Sequence, residues 1–354
     1  MAIKYVDEVD LHNKRILMRA DFNVSLNENH SIANDERIRQ AIPTIKHLLS
    51  GGNKLILCSH LGQPKGYEAA SSLTNIAVRL QKFIDMPVTF YGYDQNKSSS
   101  ENIDVWSKDI ATLDGSIALI DNLRFFSGEK ENDQDFSKKL ASMADVYVGD
   151  AFGVAHRSDA SVVGVPALLP HYGGLLMKKE INMIGRLIEN PAHPFIAIIG
   201  GAKVDTKLGL ITKLSKIADY VLVGGKLALE SGLPDLPTII KPVDYIRGDD
   251  GVAYDIGPET VKKYTSIIST AKTILWNGPM GKNEDSRYAK GTDGVYEAII
   301  TNRGTVSVIG GGDTITAIAN EQHLEQITHI STGGGAMLEF IEKGTLPGIE
   351  ALSK

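Results

Sequence analysis

The sequence predicts an α/β protein made of two doubly wound (Rossmann-like) parallel-sheet domains joined by an interdomain helix. Three observations carry this reading. Short, nearly continuous apolar runs alternate with amphipathic stretches, the pattern of strands buried on both faces of a parallel sheet. The runs form two series, one in each half of the chain. At 354 residues the chain exceeds what one core usually serves.

The first series is 15-RILMRADF-22, 54-KLILCSH-60, 87-PVTFYG-92, 116-SIALIDNL-123 and 145-DVYVGDAF-152. The second is 194-PFIAIIGG-201, 219-DYVLVGG-225, 272-KTILWNGP-279, 305-TVSVIGGG-312 and 328-THISTGGG-335. Between them, 172-YGGLLMKKEINMIGRLIEN-190 places Leu176, Ile181, Ile184 and Leu187 at helical spacing. Glycines precede it and Pro191 follows, the boundaries a helix needs. The expected division is one domain over 1–171 with a C-terminal return at 340–354, and a second over 172–339 that opens with the connecting helix at 172–190.

Composition excludes several function classes. The chain is 42% hydrophobic and 23% charged, with a formal net charge of −6. An acidic balance offers no global field for nucleic acid, so an anionic ligand must be held locally. The single cysteine, Cys58, lies inside an apolar run and reads as a small buried hydrophobe. The N-terminus has no apolar signal region and no run is long enough to span a bilayer. The expectation is a cytoplasmic protein with no membrane association.

Polar and glycine-rich signatures fall at the carboxyl ends of the strands: ADFN, SHLG, DNLRF, GDAFGVAHR, GGAK, NGPMG, GGGDT and STGGG. Ligands of open parallel sheets bind there. Neither a Walker P-loop nor a G-x-G-x-x-G dinucleotide fingerprint is present, and H-E-x-x-H and G-x-S-x-G are also missing. In the second half, 200-GGAKVDTKL-208 puts two glycines before Lys203 and Lys207, which at i,i+4 would share a helix face. Bare backbone admits an oxyanion and the ammonium groups neutralise it; the plain alternative is a helix-starting turn with two solvated lysines. In GGGDT, Asp313 can hold Mg²⁺ and Thr314 can donate to a phosphate, or the pair can simply cap a helix. The first half carries Arg19, Arg37, Arg124, Arg157 and His60, whose planar forks suit carboxylate and phosphate; each alone could be a surface ion-pair partner. One domain thus suits a nucleotide's phosphates and the other a small polyanion, an arrangement for phosphoryl transfer with closure against water.

These ordered motifs resemble the phosphoglycerate kinase family. The resemblance runs from 14-KRILMRADFNV-24 to 329-HISTGGGAMLEFIEKGTLPGIEAL-352, with SHLGQPKG, DNLRFFSGEKEN, GDAFGVAHR, GGAKVDTKL, DIGP, WNGPMG and GGGDT between. It implies reversible transfer of the acyl phosphate of 1,3-bisphosphoglycerate to ADP, giving 3-phosphoglycerate and ATP, with Mg²⁺ as cofactor, in a monomer that closes about a hinge. It assigns substrate contacts to Arg19, Asp21, Phe22, Asn23, Arg37, His60, Leu61, Gly62, Gln63, Arg124 and Arg157. Nucleotide contacts fall to Gly201, Ala202, Lys203, Lys207, Gly225, Asn277, Pro279, Glu284, Gly311, Gly312, Asp313, Thr314, Gly333 and Gly334, with Gly335 adjoining. Arg37, Lys203 and Lys207 are the catalytic residues it implies, and Asp313 the magnesium contact.

Three departures stand out. Gln63 occupies a position where the family has arginine, and Asp159 one where a histidine is common; both remove positive charge, so both are expected to raise KM for the phosphoglycerate. The stretch between 221-VLVGGKLALESG-232 and 241-KPVD-244 is shortened near the adenine region, and Lys226 replaces a glycine. Competing readings are a catalytically weakened relative that only binds its ligands, and a kinase for another small carboxylate.

Overall fold

The computed structural model describes residues 2–112, 117–202, 207–318 and 322–354, the Asp313 side chain apart. The chain forms two compact units, Met1–Glu180 with Thr345–Lys354, and Ile181–Gly344. The division falls within the helix Leu175–Glu189.

The first unit holds strands β1 (Arg15–Ala20), β2 (Lys54–Cys58), β3 (Val88–Tyr91), β4 (Ile117–Ile120), β5 (Val146–Asp150) and β6 (His171–Gly173). They form one sheet in the order β3-β4-β2-β1-β5-β6, with every pairing parallel. Residues Ile16, Leu17, Met18 and Ala20 of β1 are all buried. Successive side chains of a strand point to opposite faces, so β1 is covered on both. The core joins β1, β2, β4 and β5 to the helices Glu36–Ser50 and Thr74–Leu80 through Ile38, Ala41, Ile45, Ile76 and Leu80. From β1 the chain moves to β2 on one side and later to β5 on the other, so the topological switch point lies between β1 and β5.

The second unit holds β7 (Phe195–Ile199), β8 (Tyr220–Val223), β9 (Ile239–Ile240), β10 (Tyr245–Arg247), β11 (Ala253–Ile256), β12 (Thr273–Asn277), β13 (Val306–Gly310) and β14 (His329–Ser331). Its main sheet runs β14-β13-β12-β7-β8-β9, again parallel, with the switch point between β7 and β12. All ten expected strands are present. Four short strands are additional: β6, β9 and the antiparallel pair β10 and β11 go unseen in the sequence because none is longer than four residues. Residues 171–173 pair with β5, and the connecting helix begins at Leu175, after the two glycines expected to precede it, so the span 172–190 opens on the end of β6.

Asp150, at the end of β5, fixes where that helix starts. Its Oδ1 accepts the Met177 N–H at 3.0 Å, and Thr44 also donates to the carboxyl group. A Cβ on Gly174 would collide with this carboxylate, so only glycine fits. Burial pushes the Asp150 carboxyl group up to about 6, opposed by Thr44 and the helix N–H groups and reinforced by Glu180. A folded-state value above the ordinary 3.8 means that the folded form binds the proton more tightly. Its contribution to stability is therefore greatest at low pH and declines as pH rises from about 4 to about 6. Asp150→Asn keeps an acceptor without the charge. Denaturant unfolding at pH 4 and pH 7 should show the variant gaining on the wild type by on the order of 2–3 kcal/mol over that window; an unchanged difference contradicts this.

Candidate active site

In the first unit, Arg19 of β1 is 1% exposed. A buried guanidinium needs partners for its N–H groups or it destabilises the fold. Its Nε donates to Ser161 Oγ at 2.8 Å, and its terminal nitrogens reach the Ala20 carbonyl, Ser59 Oγ at 3.4 Å and His60 Nδ1 at 3.2 Å. Arginine only donates, so the Ser161 proton is directed elsewhere. It goes to Glu129, whose Oε1 accepts it at 2.5 Å while Oε2 accepts the Ser161 N–H at 3.0 Å. Glu129 is fully buried, and burial pushes its carboxyl group up while Arg19 opposes that. The same logic fixes the His60 tautomer: Nδ1 accepts from Arg19, so the proton sits on Nε2. Burial holds His60 well below its usual range, aided by Arg19, Arg157 and Arg37, and the ring is neutral at pH 7.

Asp21, at the end of β1, ion-pairs with Arg37 and also accepts the Asn23 N–H at 3.2 Å. Arg37 lies in the first turn of the helix Glu36–Ser50 rather than at a strand end, and burial lowers its pKa. Asn23 Oδ1 accepts the Gly62 N–H at 2.9 Å, and the Phe22 N–H donates to Ser59 Oγ at 2.8 Å. These bonds tie the loop after β1 to the loop after β2. Leu61 is packed through its carbonyl, which accepts from Asn122 at 2.7 Å. Arg124 follows β4, with its backbone N–H on Asn122 Oδ1 at 3.0 Å. Arg157 follows β5, and burial lowers its pKa while Asp159 opposes that. Among the described residues, the buried donors His60 Nε2, Arg124 Nε and Arg157 Nη1 have no hydrogen-bond partner. Buried polar groups are normally paired, so three orphaned donors on adjoining strand-end loops mark an anion site.

In the second unit, loops 200–201, 224–225 and 278–280 are joined by their own backbone. Gly200 N donates to the Asn277 carbonyl at 2.9 Å, Gly201 N to Pro279 at 2.8 Å and Gly225 N to Met280 at 2.7 Å. Gly278 has φ +87°, and a Cβ there would run into the Gly200 carbonyl. Lys207 Nζ donates to the Gly200 carbonyl at 2.6 Å. It precedes the helix Leu208–Leu214 instead of lying on its face, because its ammonium reaches back to the strand-end loop. Lys203 is outside the described residues. Ala202 ends the described part of its loop.

The GGGDT segment also differs from expectation. Gly311, at φ +95°, caps the helix Gly312–Thr316, so neither Asp313 nor Thr314 is the cap. Thr314 is buried; its hydroxyl accepts the Gly278 N–H at 2.8 Å and donates to the Gly310 carbonyl at 2.8 Å. It staples β13 to the loop after β12 and has no proton left for a phosphate. Asn277 Nδ2 donates to the same Gly310 carbonyl at 2.8 Å. Gly333 caps the helix Gly334–Lys343, and a Cβ on Gly334 would strike Gly311 Cα, so the two helix starts meet backbone to backbone. Gly335 lies in the first turn of that helix. Glu284 is exposed on the loop before the turn Ser286–Tyr288. The side chain of Asp313 lies outside the described residues.

Glu129 and Ser161 are the residues that sequence reasoning missed. Both sit inside motifs singled out for their arginines, DNLRFFSGEKEN and the stretch after GDAFGVAHR. An uncharged serine carries no signal of its own. Ser161→Ala should leave Arg19 Nε and Glu129 Oε1 unpaired in the interior. A loss of about 1.5–3 kcal/mol in the unfolding free energy is expected from denaturant titration; an unchanged midpoint would show that the relay contributes nothing.

The fold and these two clusters define a two-unit α/β protein with an arginine–histidine anion site in one unit and a glycine-lined, lysine-bearing crevice in the other. Known proteins share this arrangement. The family model of phosphoglycerate kinase matches residues 6–230 and 235–344. The chain is 42% identical to the phosphoglycerate kinase of Dictyoglomus turgidum, over 97% of this chain and 96% of that one. It is 38% identical to the cytosolic phosphoglycerate kinase 3 of Arabidopsis thaliana, over 98% and 97%. Among solved structures, phosphoglycerate kinase from Pyrococcus horikoshii superposes with a TM-score of 0.86 at 30% identity, over 99% of this chain and 98% of that one. The Coxiella burnetii enzyme gives 0.81 at 30% identity, over 99% of both chains. The chain belongs to the phosphoglycerate kinase family, phosphotransferases with a carboxyl group as acceptor. The family match breaks at 231–234, at the start of the stretch read as shortened from the sequence. Among the described residues no helix is long and apolar enough to cross a membrane.

Proposed function

We propose that this chain catalyses the reversible transfer of the acyl phosphate of 1,3-bisphosphoglycerate to ADP, yielding 3-phosphoglycerate and ATP. The observation that carries the proposal is the set of orphaned buried donors His60 Nε2, Arg124 Nε and Arg157 Nη1, backed by the fixed guanidinium of Arg19. Such a set suits a small molecule with a phosphate and a carboxylate, because guanidinium forks match both groups. The unit Met1–Glu180 with Thr345–Lys354 is then the phosphoglycerate-binding domain, and Ile181–Gly344 the nucleotide-binding domain.

No side-chain nucleophile is required. In phosphoryl transfer, positioning and neutralisation of charge supply most of the rate. Arg37, steered by Asp21, faces the transferring group. Lys207 exchanges its bond to the Gly200 carbonyl for a phosphate oxygen, and Lys203 acts beside it. Gly201, Gly225, Gly311, Gly312, Gly333 and Gly334 present backbone to the phosphates, while Asn277 and Pro279 shape the floor and Glu284 meets the ribose. An aspartate next to a glycine-lined helix start offers oxygen donors, the class that Mg²⁺ prefers. Asp313 is the residue we assign to hold it, and the metal would add neutralisation of the nucleotide's phosphate charge. We further propose a cytoplasmic monomer; a relative named as cytosolic supports the compartment.

Steady-state assay of ATP-dependent 3-phosphoglycerate phosphorylation, coupled to a dehydrogenase that consumes the product, tests this. The wild type should turn over, and Arg37→Ala should lose about a hundredfold or more in kcat. Calorimetric binding of both ligands with no turnover in the wild type would overturn the proposal.

A further inference from the structure

Gln63 and Asp159, which in the sequence read as two independent losses of charge at the anion site, touch the same guanidinium. Arg124 is nearly buried, and its Nη1 donates to Gln63 Oε1 at 2.7 Å and to the Gly62 carbonyl at 3.4 Å. Its Nη2 lies 3.6 Å from Asp159 Oδ2, an ion pair longer than a hydrogen bond. Asp159 is buried and that oxygen accepts no hydrogen bond among the described residues; Arg124 is its ion-pair partner, and Arg19 and Arg157 act on its charge from further away. The guanidinium is thus held at Nη1 by one loop and at Nη2 by another, and its Nε is the orphaned donor.

The loop that bears Gln63 is itself fixed. Tyr67 stacks on Tyr93 at 5.6 Å and meets Phe125, the neighbour of Arg124, edge-on at 5.1 Å. Such aromatic contacts add stability beyond area burial. Gln63 is exposed, so its contact with Arg124 is not a by-product of packing in the core.

We propose that Gln63 and Asp159 act together as positioning residues for Arg124 and so set the affinity for 3-phosphoglycerate. The two replacements are then one compensated change. A neutral acceptor at 63 orients the guanidinium, where an arginine would bring a second positive charge against it. A carboxylate at 159 holds the opposite end. The inference rests on the phosphoglycerate reading of the site.

A double-mutant cycle on the full chain separates this from a simple effect of charge. Gln63→Ala and Asp159→Asn should each raise KM for 3-phosphoglycerate about three- to tenfold, with kcat and the nucleotide KM within about twofold. The double variant should resemble the worse single variant, because both act through Arg124. If Asp159 acts only by its charge, removing it strengthens anion binding and KM falls. That fall, multiplicative effects, or unchanged KM values would each overturn the inference. Gln63→Ala, at an exposed position, keeps the test decisive should Asp159→Asn fail to fold. A wild type that neither turns over nor binds 3-phosphoglycerate by calorimetry would instead sink the phosphoglycerate reading, and this inference with it.

Discussion

The anion site depends on keeping one guanidinium charged and immobile inside the sheet. Arg19 belongs to β1, the strand beside the switch point, and is shut away from water. Moving such a charge out of water costs several kcal/mol unless partners replace the solvent. Ser59 and His60 from the loop after β2, Ser161 from the segment after β5, and Glu129 after β4 acting through Ser161, replace it. Satisfying one charge therefore sets the loops after β1, β2, β4 and β5 in register with one another. It also fixes the imidazole as a neutral donor at Nε2 rather than a second cation. The arginines that remain under-satisfied then sit in a frame that cannot easily collapse onto them.

The second unit solves a different problem with backbone in place of charge. Three strand-end loops are joined N–H to carbonyl, and Thr314 staples a fourth. Glycine is needed where loops touch, as at Gly278 and Gly334, because a single Cβ would force them apart. The result is a bare surface beside helix N-termini, suited to phosphate oxygens. Lys207 adds an ammonium bonded to this backbone at the Gly200 carbonyl.

Much of this was legible in the sequence. Apolar runs located every long strand, and polar punctuation located the strand ends where the ligand loops sit. What escaped has physical causes. Strands β6, β9, β10 and β11 are too short to carry periodicity. Ser161 and Glu129 act through hydrogen bonds across 32 residues of chain, which no local pattern reveals. Thr314 looked like a phosphate donor because its hydroxyl follows a glycine run; only the fold shows that its proton is spent on Gly310. Gln63 and Asp159 looked like two separate losses of charge because sequence separation hides their shared partner.

If the anion site is preorganised as the Arg19 relay requires, it should work without help from the other unit's ligand. Calorimetric titration of 3-phosphoglycerate into nucleotide-free protein, repeated across a salt series, is the most direct measurement. Binding should be measurable without nucleotide and should weaken steadily as salt rises, since several fixed cations meet a polyanion. Binding that needs nucleotide, or that ignores salt, would contradict a preformed cationic site.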